Sequence, residues 1–304
     1  MAVTSALVKE LRERTGAGMM DCKNVLVEVD GDMDKAIDLL REKGLAKAAK
    51  KSGRIAAEGL VRIKLSPDSK KAGIIEVNSE TDFAAKGADF VEFADVVSCL
   101  TVDTDTTSIE DFLQKRYSET QTVQEKLTDL FAKIGENIGI RRFKTFHESG
   151  VVYVGYLHGA GKIGVIVGIG TDAAPEEVNT LGKDIAMQIA SMNPLFIDES
   201  GVDPVYMEKE KDILVRQALQ EGKPAEIVEK MVMGRLKKEL KETCLLEQKF
   251  VKNGELTVGQ YISDAAKALG KDAKVVSMIR YEVGEGIEKK EENFAEEVAK
   301  QIGQ

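Results

Sequence analysis

Helical periodicity dominates the first part of the chain. Thr4 and Ser5 can cap a first helix, because Leu7 and Leu11 follow on one face, four residues apart. Two further apolar stripes of the same period follow before the pattern changes. We therefore predict a small bundle of three helices, with the second and third helices over residues 19–29 and 33–43.

Breaker residues mark the ends of these helices. Residues 15–18 form the first loop, residues 30–32 form the second, and Gly44 is expected to stop the third helix. Residues 46–58 are rich in Ala and Lys with little apolar periodicity, so we predict a linker, partly helical, after a domain over residues 1–45. The arrangement of the three helices resembles a ubiquitin-associated (UBA) domain.

An internal repeat follows the linker. "GLVRIKLSPDSKKAGIIEVN" has glycines at Gly59 and Gly73, and "GVVYVGYLHGAGKIGVIVGI" has glycines with the same spacing at Gly150 and Gly164. Each unit is a β-branched run, a polar turn and a second β-branched run, which predicts a β-hairpin. An amphipathic helix follows each hairpin, so the core is predicted to hold two related α+β subdomains. We assign them to residues 59–147 and 148–286.

The two copies differ where the hairpin meets the helix. The first copy has Thr81-Asp82-Phe83, whereas the second has Asp172 followed by two alanines and a proline. Most Phe side chains are buried, so Phe83 could pack into the core of its own subdomain. The second copy has no aromatic at this joint, so the scaffold does not need one there, and the alternative that Phe83 faces a binding partner stays open.

The C-terminal half predicts a helical arm and a closing strand. An arm of two helices covers about residues 203–243, with its turn at residues 221–224 and Pro224 starting the return helix. The arm can pack on itself or offer a face to a second subunit, and both alternatives stay open. "KVVSMIRYEVG" is predicted to complete the second sheet. The apolar stripe of the return helix consists of Val228, Val232, Leu236 and Leu240.

The fold class is therefore α+β. We expect a UBA-like bundle, a duplicated core of two small antiparallel sheets flanked by helices, a helical-hairpin arm and a C-terminal helical module over residues 287–304. Helices and a strand leading back into the second unit are expected between the copies. The terminal helix is acidic and has Phe294 and Val298 four residues apart, so it is either loosely docked or kept for a partner.

Charge and composition exclude several classes of protein. The chain of 304 residues has a net charge of −9, although the first 56 residues carry 11 basic and 9 acidic side chains. The basic run over residues 47–54 is more typical of a solvated linker than of an RNA-binding arm. No segment approaches the roughly 18 apolar residues of a membrane span, and the N-terminus lacks an apolar signal region. We expect a cytoplasmic protein without direct contact to nucleic acid or membrane.

Candidate catalytic chemistry is sparse. Cys22, Cys99 and Cys244 are far apart in sequence, and only His147 and His158 could serve in histidine chemistry or a zinc site. "GAGKIG", residues 159–164, matches G-x-G-x-x-G, but a strand rather than a helix is predicted after it, so a hairpin turn explains the glycines better. We expect neither an enzyme nor a bound cofactor, metal or nucleotide.

Several blocks resemble the elongation factor Ts family. They are "LVKELRERTGAGMMDCKN", "EVNSETDF", "IGENIGIRR", "HGAGKIGV", "DIAMQIA" and "RYEVGEGIEKKEENFAEEV", and they occur in family order along essentially the whole chain. The resemblance implies a guanine-nucleotide exchange factor for the translation GTPase elongation factor Tu, with no nucleotide site of its own. It also implies a dimerisation role for the helical arm.

The resemblance also implies site residues. Thr81, Asp82, Phe83 and Ala84 correspond to the family's loop that enters the GTPase and disturbs its Mg²⁺ site, with Ala84 where the family often has Val. Phe83 would be the wedge, while Asp82 would orient it or compete for polar contacts near the metal. Further partner contacts are expected from Arg12, Met19, Met20, Lys23 and His158.

Two alternatives from other classes stay open. An RNA- or ribosome-binding protein would use the basic run and would show retention with a steep salt dependence. A ubiquitin-associated type of adaptor would use residues 4–44, but it would leave the duplicated core unexplained.

Overall fold

The computed structural model describes residues 3–51, 53–222 and 225–288. Its elements, in chain order, are α1 Ser5–Thr15, α2 Met19–Glu28, α3 Met33–Lys51, β1 Glu58–Leu65, β2 Ala72–Ser79, α4 Asp82–Ala85, α5 Ala88–Val102, α6 Ile109–Leu113, α7 Val123–Ile134, β3 Gly139–Phe146, β4 Val151–His158, β5 Ile163–Gly170, α8 Pro175–Met192, α9 Pro204–Gln220, α10 Ala225–Thr243, β6 Lys249–Phe250, β7 Asn253–Thr257, α11 Val258–Leu269 and β8 Lys274–Glu282.

The N-terminal bundle forms as its periodicity predicts, with one correction. The Thr4 side chain accepts a hydrogen bond from the N–H of Leu7, and Leu11, Cys22 and Leu26 are buried between the helices. The prediction that Gly44 stops the third helix is wrong, because α3 continues to Lys51.

Helix packing explains why α3 passes through its glycine. A Cβ atom at Gly44 would lie 3.6 Å from Thr128 and 3.7 Å from Ala132, so the glycine is where α3 meets α7. Glycine costs about 1 kcal/mol in a helix interior, and tertiary contacts override that preference here. The first six residues of the predicted linker over residues 46–58 are consequently the end of α3, and its last residue, Glu58, begins β1.

The first sheet has the antiparallel order β1-β2-β3. The strand that follows α7 was expected to lead back into the second unit, but it pairs with β2 and completes the first sheet. Every residue of β2 is buried, since α5 covers one face of the strand and the second sheet covers the other. The core beneath α5 includes Ile75, Val77, Phe90, Phe93 and Phe112.

The second sheet has the antiparallel order β4-β5-β8, which confirms that the strand after α11 closes this sheet. Helix α8 lies on β4 and β5, and α11 extends the same core. The fold class is thus α+β with a duplicated core, as predicted. The core beneath α8 includes Val152, Val165, Val167, Ile185 and Ile189.

The two sheets pack against each other through a third apolar cluster. The N–H of Val61 donates to the carbonyl of Gly161 at 2.7 Å, and the N–H of Tyr153 donates to the carbonyl of Ser69 at 2.9 Å. These two bonds tie the first hairpin to the second, so the end of each hairpin lies against the other subdomain. The cluster includes Val61, Ile74, Tyr153, Ile166 and Tyr281.

The arm is a hairpin of α9 and α10. All four residues of the predicted stripe, Val228, Val232, Leu236 and Leu240, are buried, so the stripe packs within the chain. Arg235 forms a bidentate ion pair with Glu221 across the turn. A homodimer through the arm stays a prediction. The predicted role of Pro224 and the terminal helix with Phe294 and Val298 lie outside the described residues.

A buried carboxylate anchors the hairpin that follows the arm. Asp184 accepts hydrogen bonds from the hydroxyl of Tyr261 at 2.7 Å and from the ammonium of Lys252 at 2.5 Å. Tyr261 also stacks on Phe250, with ring centroids 4.2 Å apart. Burial and the neighbouring carboxylate raise the pKa of Tyr261 from 10.0 to about 12.

This shift gives a pH-dependent contribution to stability. Because the pKa of Tyr261 is higher in the folded state, its contribution is complete below about pH 10 and is lost as the pH rises towards about 12. We expect the stability difference between the natural chain and Tyr261→Phe to shrink over that range in urea unfolding. A difference that stays constant from pH 9 to 12 would contradict the assignment.

Candidate protein-docking site

The Thr81–Ala84 loop is a single helical turn held by a carboxylate from a distant segment. The Thr81 hydroxyl accepts from the N–H of Ala84 at 3.2 Å and donates to Glu136 at 2.8 Å. The N–H of Thr81 donates to the second oxygen of Glu136 at 3.0 Å. Thr81 is therefore fixed by both its backbone and its side chain.

A second carboxylate fixes the entry to the loop. Glu80 accepts from the N–H of Asn137 at 2.6 Å and lies 3.4 Å from the guanidinium of Arg54. The Asn137 side chain in turn donates to the carbonyl of Arg54 at 2.8 Å. Glu136 and Asn137 were not predicted as site residues from the sequence. The one indication was that both lie in "IGENIGIRR", directly after the glycine that ends α7.

Phe83 projects from this braced turn into solvent. Its side chain is 85% exposed, the highest value for a large apolar residue among the described residues. Packing of Phe83 into the core of its own subdomain is thereby ruled out in this structure. An aromatic ring in water contributes nothing to folding by burial, so Phe83 does not serve the core of its own subdomain.

Asp82 and Ala84 have different surroundings from Phe83. Asp82 pairs with Lys86 at 2.6 Å, and the hydrogen bond and charge of Lys86, with a smaller effect of Lys162, lower the pKa of Asp82. Ala84 is only 5% exposed, so its methyl group faces the protein. Its burial distinguishes Ala84 from the exposed Phe83, and its contribution to partner contact stays a prediction.

The turn that carries His158 lies beside this loop. Lys162 donates to the Glu58 carboxylate at 2.7 Å, and Glu58 also raises the pKa of Lys86, after the larger effects of Asp82. His158 is exposed, with its Nδ1 atom 3.0 Å from the Tyr156 hydroxyl. The structure thus brings the end of the second hairpin next to the Phe83 loop.

The glycines of "GAGKIG" form the hairpin turn between β4 and β5. Gly159 and Gly161 have φ angles of 57° and 96°, and β5 begins at Ile163 without an intervening helix. A helix N-terminus to hold a pyrophosphate is therefore missing at this place. This geometry confirms that the match to a dinucleotide fingerprint reflects a turn.

The remaining candidate residues lie on the N-terminal bundle. Met19 and Met20, at the start of α2, are 45% and 62% exposed, and Arg12 and Lys23 are exposed on α1 and α2. The bundle contacts the core through α3 and α7, and a Cβ atom at Gly16 would lie 3.0 Å from the side chain of Lys133, which pairs with Asp89 at 2.6 Å. Two adjacent exposed methionines suit adaptable contact with a protein.

Other kinds of site find no support in the part of the chain that the structure describes. Its Cys, His, Asp and Glu side chains form no group of three that could hold a metal ion. None of its helices has the length and apolar character needed to cross a membrane. What the described residues do show is a duplicated α+β scaffold that presents Phe83 on a loop held by Glu136.

Comparison with known proteins identifies the family. A family model described as elongation factor TS matches residues 80–285. The chain is 57% identical over 300 residues to an elongation factor Ts of Clostridioides difficile (strain 630), covering 99% of both chains. It is 52% identical over 301 residues to that of Clostridium botulinum (strain Eklund 17B / Type B), again covering 99% of both.

The chain belongs to the elongation factor Ts family. This membership supports a role in translation elongation, within protein biosynthesis.

Proposed function

We propose that this chain is the guanine-nucleotide exchange factor of elongation factor Tu and acts without catalysing a chemical reaction itself. The observation that carries the proposal is Phe83, 85% exposed on a loop whose backbone is fixed by Glu136 and Glu80. A rigid loop delivers an aromatic anchor to a partner at low entropic cost. The family membership supplies the partner, because exchange on Tu is the activity that the resemblance implies.

The proposed mechanism follows from linkage. Bound GDP is held together with Mg²⁺, the largest local charge in such a site. A factor that binds nucleotide-free Tu better than loaded Tu weakens the nucleotide by the same ratio. A factor that bound both states equally would shift nothing, so Phe83 must fit a nucleotide pocket that has opened.

Thr81, Asp82 and Phe83 have distinct roles in this proposal. Phe83 is the wedge that disturbs the Mg²⁺ and phosphate site of Tu. Thr81 caps the turn and holds it to Glu136. The ion pair between Asp82 and Lys86 favours the orienting role for Asp82 over direct competition near the metal.

The other exposed candidates extend the contact with Tu. We assign His158 to a contact beside the wedge loop, because its turn adjoins that loop through Lys162 and Glu58. Met19 and Met20, with Arg12 and Lys23 around them, form a second contact area on the bundle. Exposed charges contribute little individually, so the methionines are expected to dominate that area.

The proposal predicts reciprocal release. The affinity of Tu for this chain, measured by titration calorimetry, should fall by a factor of about 5–150 when saturating GDP and Mg²⁺ are added. The chain should weaken GDP binding to Tu by the same factor, measured with fluorescent GDP. Equal affinity of the chain for empty and GDP-loaded Tu would exclude exchange activity even if the two proteins bind.

A further inference from the structure

Glu76 is a fully buried carboxylate in the middle of β2, where the first sheet faces the second. Its oxygens accept from Arg142 Nε at 2.6 Å, Arg141 Nη1 at 3.1 Å, Asn78 Nδ2 at 3.2 Å and the N–H of Gly284 at 2.8 Å. These donors come from β2, from β3 and from the turn after β8. One side chain therefore joins both sheets.

A β-bulge builds this cluster. Glu76 pairs with Arg142 and Val77 pairs with Ile140, so Arg141 is the extra residue of β3. Adjacent residues of a regular strand point to opposite faces, and two neighbouring arginines could not then reach one carboxylate. A bulge changes the direction of a side chain, and here it lets both guanidinium groups reach Glu76.

The same arginines hold the chain where it leaves the second sheet. Arg142 Nη2 donates to the carbonyl of Glu282 at 3.2 Å and to the carboxylate of Glu285 at 3.1 Å. Arg141 Nη2 donates to the carbonyl of Glu285 at 2.5 Å. The Arg142 guanidinium also lies 4.1 Å from the ring centroid of Tyr281, a cation–π contact.

A buried ion cluster in an apolar interface is seldom the most stable solution, because desolvation offsets the attraction. Directional hydrogen bonds can instead specify one arrangement of packed elements, a role that buried polar groups have in some proteins. The cluster is also placed where that arrangement matters. Strand β2 ends at Ser79, two residues before Thr81, and the facing hairpin carries His158 at its turn.

We infer that Glu76 is a positioning residue that fixes the two core subdomains relative to each other, so that the Phe83 loop and the His158 turn meet one Tu molecule together. The inference rests on the proposed function for its effect on exchange. Its structural half, the fixed arrangement of the two sheets, stands without that function and is measured separately.

The first test measures the arrangement. Spin labels on Cys99, which is exposed on α5, and on Lys183→Cys, exposed on α8, report the distance between the subdomains. Glu76→Gln keeps the shape of the side chain and removes its charge. We expect a single narrow distance distribution to become broad or shifted in the variant, while the circular dichroism spectrum stays unchanged.

The second test measures exchange with unlabelled protein. The maximal rate of GDP release from Tu should fall about tenfold in Glu76→Gln, within the usual range of coupling between sites. Gly284→Ala provides an independent variant that leaves all charges in place. Its Cβ would lie 2.1 Å from the carbonyl oxygen of Ala57, at a φ of 72°, so it should displace the turn from Glu76 and reduce the rate similarly.

The outcomes separate the inference from the proposed function. An unchanged distance distribution in both variants overturns the inference, and so does a broadened distribution with an undiminished exchange rate. If the natural chain itself fails to accelerate GDP release, the proposed function fails, whereas the distance measurement still decides whether Glu76 fixes the subdomains. Should Glu76→Gln not fold, Gly284→Ala alone decides both points.

Discussion

Replacing Phe83 by alanine is expected to reduce the acceleration of GDP release from Tu by about thirtyfold or more, the effect of losing a binding hot spot worth at least 2 kcal/mol. The folded chain should be nearly unaffected. The side chain is 85% exposed, and exposed substitutions usually change stability by less than about 0.5 kcal/mol. Loss of activity at constant stability is the signature of a docking residue.

The physical reason lies in the rigidity of the loop. Thr81 is bound to Glu136 through both its backbone and its side chain, so the loop retains its shape when the ring is removed. Alanine would then present the same backbone to Tu without the apolar volume that we propose as the wedge. We expect the variant still to bind Tu through its other contacts, with less discrimination between empty and GDP-loaded Tu.

Stopped-flow release of fluorescent GDP measures the effect, and thermal unfolding by circular dichroism checks the fold. Val251→Ala is a matched control, since Val251 is also an exposed apolar residue but lies in the turn between β6 and β7. The control should exchange like the natural chain. Unaltered GDP release by Phe83→Ala at an unaltered melting temperature would remove Phe83 from the mechanism.

The elements with a clear period were predictable from sequence. The three N-terminal helices, the two hairpins and the arm each carry an apolar repeat that matches their observed faces. For Phe83 the general tendency of Phe favoured burial, and the family resemblance reversed that prediction, supported by the second copy of the repeat, which has no aromatic at that joint. Duplication served as an internal comparison that a single copy would not have offered.

Features that depend on contacts between distant segments were not predictable. Gly44 has the sequence signature of a helix end, but the surface of α7 keeps the helix intact around it. Ala84 follows Phe83 directly, yet the cap at Thr81 turns it inward. Glu136 lies 55 positions from Thr81, and nothing local to either residue indicates that they meet.

The two glycines that begin the repeats also differ through contacts with distant segments, and this difference predicts a large effect of substitution on stability. Gly59 and Gly150 occupy corresponding positions of the two hairpins, so sequence alone treats them as equivalent. In the structure the surroundings of these two glycines differ. A Cβ atom at Gly59 would lie 2.1 Å from the carbonyl oxygen of Val77 and 2.8 Å from Cα of Asn78, whereas nothing lies within 4 Å of one at Gly150.

Gly59→Ala is therefore expected to destabilise the chain by about 3 kcal/mol or more, combining overpacking against backbone with a strained φ of 147°. Gly150→Ala should cost only about 1–2 kcal/mol, since its φ of 73° is disfavoured but the space is open. Urea unfolding of the two variants measures the difference. Equal midpoints would show that β1 can move away from β2, and the tight pairing that leads into the Phe83 loop would then not be required.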